Sequence, residues 1–137
     1  MTAQGEDILA WLDRAITTRE QAAQEAARSY GPRWVRPVDT DVVRVSDDGI
    51  VWFQALSDDI AEHIMHNSPE VVLRRCAADR KLLELHQPQP DGSAFPDSMQ
   101  CRTCSHDGGD GYQYLVYAPC PTVVALAEGY GWTGGER

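Results

Sequence analysis

Two cysteines separated by two residues give the strongest chemical signal in this chain. The run Cys101-Arg102-Thr103-Cys104 places both thiols on one tight turn, where two thiolates can chelate a single tetrahedral cation. Cys120 stands between two prolines, directly before a predicted helix whose N-terminus would stabilise a thiolate. We therefore predict Cys101, Cys104 and Cys120 as three ligands of one metal ion.

A histidine is the fourth predicted ligand. His86 ends a long predicted helix that Pro88 prevents from continuing, so its imidazole can turn toward the cysteines. The order His-x14-Cys-x2-Cys-x15-Cys then predicts a Cys₃His zinc site. His106 competes for the fourth position, although a histidine two residues after Cys104 would have to fold back sharply. A filled site leaves no position for water, so the predicted zinc is structural and does not indicate an enzyme.

Other chemistry is possible for the cysteines. A redox pair needs a preceding strand and a helix that begins at the first cysteine, and neither the lead-in 97–100 nor the glycine-rich segment 105–109 fits that context. Cysteines without metal, packed as small apolar side chains, remain a second alternative. Cys76 is predicted to be a core residue because it lies on the apolar stripe of its helix.

A second group of polar residues lies in the middle of the chain. His63 and His66 are three residues apart on a predicted helix, with Asp59 and Glu62 four residues before each. This face could hold a second metal, and a metal-dependent hydrolase using His63, His66 and Asp59 is the alternative function. The competing interpretation is a solvated face or contact surface, opposite the apolar residues Ile60, Ala61, Ile64 and Met65.

The elements that must position these residues predict an α+β, mostly helical fold. We predict one domain over 1–137, with an N-terminal helix in 1–30, a β-hairpin in 33–56, a helical pair in 57–86 and a zinc-binding region in 87–130.

Glycine, proline and capping residues indicate where the predicted helices and strands begin and end. The first helix runs over 6–29, and the hairpin turns at 47–49 with Trp34-Val35 as a possible extra strand. Ser57 caps the next helix, which runs to about His66, and Pro69 starts the helix that reaches His86. The proline-rich segment 87–100 is predicted to lack regular structure. A strand over 112–117 and a helix from Pro121 to Gly129 follow, before a frayed tail from which Tyr130 and Trp132 could pack back.

Charge and composition limit the classes of function. Twelve Lys and Arg against 21 Asp and Glu give a net charge of −9, which opposes binding to a nucleic-acid backbone. Nucleic-acid binding through the cysteine turn would require the basic residues to gather on one face: Arg28, Arg33, Arg36, Arg74, Arg75, Arg80 and Lys81. The acidic N-terminus does not fit a signal peptide, and no run of 18 apolar residues occurs, so we expect a cytoplasmic protein with no membrane contact.

Four stretches of the chain resemble one known family: 58–64, 66–74, 79–86 and 119–127. They are similar to a family of small actinobacterial and actinophage proteins known as a domain of unknown function, numbered 6221. The resemblance implies a shared histidine after the long helix, a cysteine pair and a Cys-Pro-Thr run, which correspond here to His86, Cys101, Cys104 and Cys120. It implies no activity. The ending Gly129-Tyr130-Gly131-Trp132 departs from the longer, tyrosine-rich tail expected of the family.

These observations predict a small zinc-stabilised accessory or regulatory protein that binds another protein, of phage or mobile-element origin. The sequence identifies no catalytic residues.

Overall fold

The computed structural model describes residues 3–37, 40–46 and 51–134, with the side chains of the first helix described from Ile8 onward. Within these residues four helices and three two-stranded antiparallel sheets form, which confirms the predicted α+β, mostly helical class. They divide into two compact units: residues 17–77, and a second unit made of the chain up to Ile16 together with the chain from Ala78 onward. The single domain over 1–137 stays a prediction.

Helix α1 (Ala3–Tyr30) confirms the predicted first helix. Ile8, Leu12 and Ile16 recur at four-residue steps and are buried. The helix ends at Gly31, whose N–H donates to the Ala27 carbonyl over 2.7 Å. The φ of +113° at Gly31 is left-handed, a conformation that glycine adopts without the steric cost of a Cβ.

The unit formed by residues 17–77 contains the predicted β-hairpin. Strands β1 (Val42–Arg44) and β2 (Trp52–Gln54) pair with Val43 opposite Phe53. The predicted extra strand at Trp34-Val35 is reduced to a single bridge between Val35 and Arg44. The predicted turn at 47–49 lies outside the described residues.

Helix α2 (Asp58–Met65) begins where Ser57 caps it, since the Ser57 hydroxyl accepts the Ile60 N–H over 3.3 Å. Ala61 is fully buried with Val43 and Val45, and Ile64 packs against that cluster. The prediction that Ile60 belongs to the core side is wrong, because its side chain is 41% exposed. The buried stripe of this short helix follows Ala61 and Ile64, and Ile60 lies at its border.

Helix α3 (Pro69–Leu85) has the predicted bounds but a different buried face. Its buried residues on the stripe are Cys76, Asp79 and Leu83, whereas Leu82 and Leu85, predicted as apolar face, are exposed. A carboxylate therefore occupies the middle of the buried stripe. Tyr130 makes this possible by donating a 2.6 Å hydrogen bond to Asp79 Oδ2.

Both ends of the segment after α3 form strands, contrary to prediction, whereas residues 91–98 between them contain neither helix nor strand. Strands β3 (Pro88–Pro90) and β4 (Met99–Cys101) pair antiparallel around Gln89 and Gln100. Prolines are tolerated because this is a two-stranded sheet, in which each strand has an unpaired edge. Asp91 holds the intervening loop: its carboxylate accepts from the Ser93 N–H over 2.9 Å and from the Ser98 hydroxyl. These hydrogen bonds lower the pKa of Asp91.

The remaining elements are short. Strands β5 (His106–Asp107) and β6 (Gln113–Tyr114) form a hairpin, so the predicted strand over 112–117 is mostly wrong, with Tyr117 making only an isolated bridge to Gln100. Helix α4 (Pro121–Gly129) is as predicted. Trp132 packs edge-on against Trp11 with ring centres 5.2 Å apart, so the chain after α4 does pack back.

No helix within the described ranges is long and apolar enough to cross a membrane.

Candidate metal centre

The end of α3 positions His86. The His86 N–H donates to the Leu82 carbonyl over 3.1 Å, so its backbone continues the last helical turn before the chain leaves for β3. Its ring turns Nδ1 toward three cysteine sulfurs. The helix ends before Pro88, as predicted, and the His86 imidazole faces the cysteines, as predicted.

The turn formed by residues 101–104, here called the knuckle, carries two of these sulfurs. Cys101 ends β4, is fully buried, and donates its N–H to the Val116 carbonyl over 2.7 Å. The Cys104 N–H points back at Cys101 Sγ over 3.4 Å, and the Ser105 N–H bonds the Cys101 carbonyl over 3.2 Å. The tight turn thus directs the Cys104 N–H at the Cys101 sulfur, which favours the thiolate form.

The two middle residues of the knuckle fasten it to the C-terminal end of α3. Arg102 Nη2 donates to the Glu84 carbonyl over 2.7 Å, and the Thr103 hydroxyl donates to the Leu85 carbonyl. Carbonyls in the last turn of a helix have no partner within the helix, and a cation there also complements the helix dipole. The last turn of α3 has no basic residue of its own. Arg102 supplies that charge and fixes the knuckle beside His86.

Cys120 brings the third sulfur from the start of α4. It occupies the N-cap position, with Pro121 as the first helical residue, and it is fully buried. Its carbonyl accepts the Val124 N–H over 3.1 Å, which is the first turn of α4. The helix is held in place by the buried side chains of Val123 and Ala127.

The four ligand atoms make a compact group. His86 Nδ1 lies 3.4 Å from Cys101 Sγ, 3.4 Å from Cys104 Sγ and 3.5 Å from Cys120 Sγ. All four ligand atoms lie within 4.8 Å of one another. A tetrahedron with Zn–S bonds of about 2.3 Å and a Zn–N bond of about 2.0 Å has an N···S edge of about 3.5 Å. The three N···S separations therefore match those of a tetrahedral zinc site, and the group could hold a metal ion.

A match to a family model accompanies this geometry. The model described as "Family of unknown function (DUF6221)" matches residues 5–131. The chain belongs to the DUF6221 family. No curated protein and no solved structure gives a significant match to it.

The thiols of this DUF6221 protein differ in their tendency to ionise. Burial acts to raise the pKa of Cys101, but hydrogen bonds from the Cys104 N–H and from His86 outweigh it and lower the pKa to about 7. Burial together with the neighbouring sulfurs of Cys101 and Cys120 raises the pKa of Cys104 to about 11. Like charges at this separation repel, so the fully ionised cluster requires a cation among the sulfurs.

The other predicted candidates lie elsewhere in the DUF6221 chain. His106 is exposed and stacks on the Tyr114 ring, 4.9 Å between centres, so it is outside the group that His86 completes. Cys76 is buried in α3, as predicted for a core residue.

The predicted second constellation does not gather as the first does. Asp59 and His63 are exposed on α2, and His66 is exposed at its C-cap. Glu62 bonds His66 Nε2 over 3.1 Å and Arg36 over 2.9 Å. In the part of the chain that the structure describes, no set of three ligand groups forms around these residues.

Two residues that position this DUF6221 site were not predicted from the sequence, namely Arg102 and Thr103. The one sequence signal for Arg102 is indirect: α3 ends without a basic residue, so its carbonyls need a cation from another element. For Thr103 we find no such signal, because its contact with the Leu85 carbonyl depends on the tertiary fold.

Proposed function

We propose that this chain is a zinc-stabilised domain that works by binding another protein. The observation that carries the zinc assignment is the set of three nearly equal Nδ1···Sγ distances, which match the edge of a zinc tetrahedron. Three sulfurs and one imidazole nitrogen are ligands that Zn²⁺ prefers, whereas Mg²⁺ and Ca²⁺ prefer oxygen.

The composition of the site favours a structural role. His86, Cys101, Cys104 and Cys120 fill all four tetrahedral positions, which leaves none for water or substrate. These residues come from the end of α3, the knuckle and the start of α4, so one ion would join three chain segments. Elements as short as β5 and β6 bury little apolar surface, and a metal would supply the stability that they lack.

The proposed binding role is supported by the surface of the metal-held region. Several aromatic side chains between α3 and α4 are exposed rather than packed, namely Phe95, Tyr112, Tyr114 and Tyr117. Aromatic residues of this kind are enriched in protein interfaces because they bring large contact area at low conformational cost. An origin in a phage or mobile element stays a prediction from the resemblance.

The charge distribution supports a protein partner over a nucleic acid. Four of the arginines that would have to form a basic face pair instead with acids: Arg28 with Glu25, Arg33 with Glu70, Arg36 with Asp58 and Glu62, and Arg80 with Asp13. A chain with a net charge of −9, in which four of these seven basic residues are paired with acids, gives little counterion release on a phosphate backbone.

Two measurements test the proposal. Native mass spectrometry of protein purified without added metal should give one zinc per chain, and a folded chain without metal would overturn the zinc assignment. A photo-crosslinking residue at Tyr117 should capture a partner protein in the cells that make this chain, while the same residue at Tyr30, which is also exposed, should not. Equal capture at both positions, or at neither, would argue against binding through this region.

A further inference from the structure

The hairpin of β5 and β6 presents a stack of aromatic rings to solvent. The His106 ring lies parallel to the Tyr114 ring, with centres 4.9 Å apart and planes inclined by 12°. The Tyr112 ring meets Tyr114 edge-on, also at 4.9 Å. Tyr112 is 61% exposed and Tyr114 is 47% exposed. We call residues 106–114 the aromatic hairpin.

The backbone of the aromatic hairpin is built to hold these rings. A Cβ at Gly108 would collide with the side chain of Tyr114, so only glycine lets that ring lie across the turn. The Gly108 N–H donates to the Tyr112 carbonyl over 2.7 Å. Asp107 Oδ1 accepts the Gly109 N–H over 2.8 Å, and Asp110 Oδ1 accepts the Tyr112 N–H over 3.0 Å. The rings are therefore oriented before any partner arrives, which reduces the entropy lost on binding.

The carboxylates of the aromatic hairpin itself are Asp107 and Asp110, and no lysine or arginine lies within it. Between Arg102 and the end of the described chain at Gly134 the sequence has no lysine or arginine, while Asp107, Asp110 and Glu128 are acidic. In the turn, both aspartates use Oδ1 for the backbone bonds just described, and both side chains are exposed. This surface combines π faces with carboxylates and would repel a phosphate or an anionic headgroup.

We propose that the aromatic hairpin binds an arginine-rich segment of the partner protein. This inference rests on the proposed function and names the chemistry of the partner. A guanidinium is planar and weakly hydrated, so it stacks on the exposed ring surface of Tyr112 and Tyr114, one face of Tyr114 being covered by His106, while its N–H groups donate to Asp107 and Asp110. A lysine ammonium, which is compact and strongly hydrated, gains less from the rings.

The test uses the zinc-loaded full chain and three synthetic peptides of alternating residues. They contain glycine with arginine, glycine with lysine, or glycine with citrulline, the uncharged isostere of arginine. In calorimetric titrations at physiological salt, the arginine peptide should bind more tightly than the lysine peptide, and the citrulline peptide should not bind measurably. Equal affinity for arginine and lysine would overturn the inference, since attraction to a net charge of −9 alone would produce it.

Matched variants locate the binding. Tyr112→Leu and Tyr114→Leu should each weaken the arginine peptide about two- to fivefold, as expected for exposed cation–π contacts, whereas Tyr112→Phe and Tyr114→Phe keep a π face and should bind nearly normally. Tyr30→Leu removes an exposed tyrosine elsewhere and should have no effect.

The double variant Asp107→Asn with Asp110→Asn tests the carboxylates. Its matched control, Asp59→Asn with Glu84→Gln, removes the same charge from exposed positions outside the hairpin. If the control weakens the peptide as much as the hairpin variant does, the inference is wrong. Zinc content and circular dichroism equal to wild type establish that each variant is folded.

The inference can fail while the proposed function stands. Suppose that a partner is captured at Tyr117 but that the hairpin substitutions leave the affinity for the arginine peptide unchanged. This result would overturn the inference and leave the proposed function intact. Absence of zinc and of any partner would overturn the proposed function. Tighter binding of a single-stranded RNA than of the arginine peptide, lost in the tyrosine-to-leucine variants, would also overturn the inference, because the rings would then serve base stacking.

Discussion

The guanidinium of Arg102 donates a 2.7 Å hydrogen bond to the main-chain carbonyl of Glu84, at the C-terminal end of α3. This contact joins the turn that carries Cys101 and Cys104 to the helix that ends directly before His86. The position of the knuckle relative to His86 therefore depends on a side chain that binds no metal itself.

We expect Arg102→Ala to weaken the metal site without abolishing it. Loss of the hydrogen bond and of the charge at the helix end should cost about 1 kcal/mol in the free energy of unfolding, measured by urea denaturation of the zinc-loaded protein. Zinc affinity, measured by competition with a chelator, should fall about tenfold. Arg74→Ala removes an exposed arginine from the same helix, and a comparable loss in this control would contradict the role assigned to Arg102.

Substitutions of individual cysteines should distinguish the predicted metal ligands from the cysteine that packs in the core. A structural zinc contributes on the order of 10 kcal/mol of apparent binding energy, so Cys120→Ser, like Cys104→Ser, should release the metal and unfold the chain from about Leu82 onward. Circular dichroism and zinc analysis measure this. Cys76→Ala should keep one zinc and cost about 1–2 kcal/mol through a small cavity in α3. A stable, folded Cys120→Ser protein would mean that the metal is held by other residues.

The two histidines near the knuckle should behave differently. His86→Ala removes the nitrogen that lies 3.4–3.5 Å from all three sulfurs, and zinc affinity should fall at least tenfold. His106→Ala removes only a ring stacked on Tyr114 and should leave zinc affinity unchanged. The opposite result in chelator competition would show that His106 is the fourth ligand.

The hydrogen bond between Tyr130 and Asp79 should stabilise the unit that contains the candidate metal centre. Asp79 is 1% exposed, and Tyr130→Phe would leave its Oδ2 without this donor at a cost of about 1–3 kcal/mol. Tyr117→Phe removes the hydroxyl of an exposed tyrosine and serves as the control. Thermal midpoints that fall equally in both variants would argue against a special role for this contact.

Replacing both His63 and His66 with Ala should change the free energy of unfolding by less than about 0.5 kcal/mol, because both side chains lie on the exposed face of α2. Val43→Ala opens a cavity in the core beneath α2 and should cost about 2 kcal/mol in the free energy of unfolding. It is the positive control, because it shows that the denaturation measurement detects a loss of this size. A collapse of the double histidine variant would reveal a structural role, and metal content above one per chain that is lost in this variant would support the hydrolase alternative.

Local chemistry made much of this molecule predictable. Proline, glycine and serine fix the ends of α2, α3 and α4, because each has a strong conformational or hydrogen-bonding preference at a helix terminus. The gathering of His86, Cys101, Cys104 and Cys120 could be predicted for a related reason: sulfur and imidazole at these spacings are typical of one metal site. Where the conformation or ligand preference of a single residue type determines the local structure, the sequence is enough to predict it.

Features that depend on tertiary partners could not be predicted in this way. Asp79 is buried because Tyr130, far away in the chain, donates to it, and no periodicity in α3 indicates that partner. The pairing of β3 with β4 was missed because prolines usually argue against strands. Ile60 and Leu82 lie at the borders of their helical stripes, where a small rotation of the helix decides between core and solvent.

The arrangement of the ligands has a consequence for the lifetime of the protein in a cell. Since the proposed zinc joins the end of α3, the knuckle and α4, folding of this region is linked to metal binding, and the folded fraction rises with the free zinc concentration. When zinc is scarce, proteases would reach the chain beyond Leu82 first, because they act on its opened form. The abundance of this protein would then follow the zinc supply of the cell, even with no change in its synthesis.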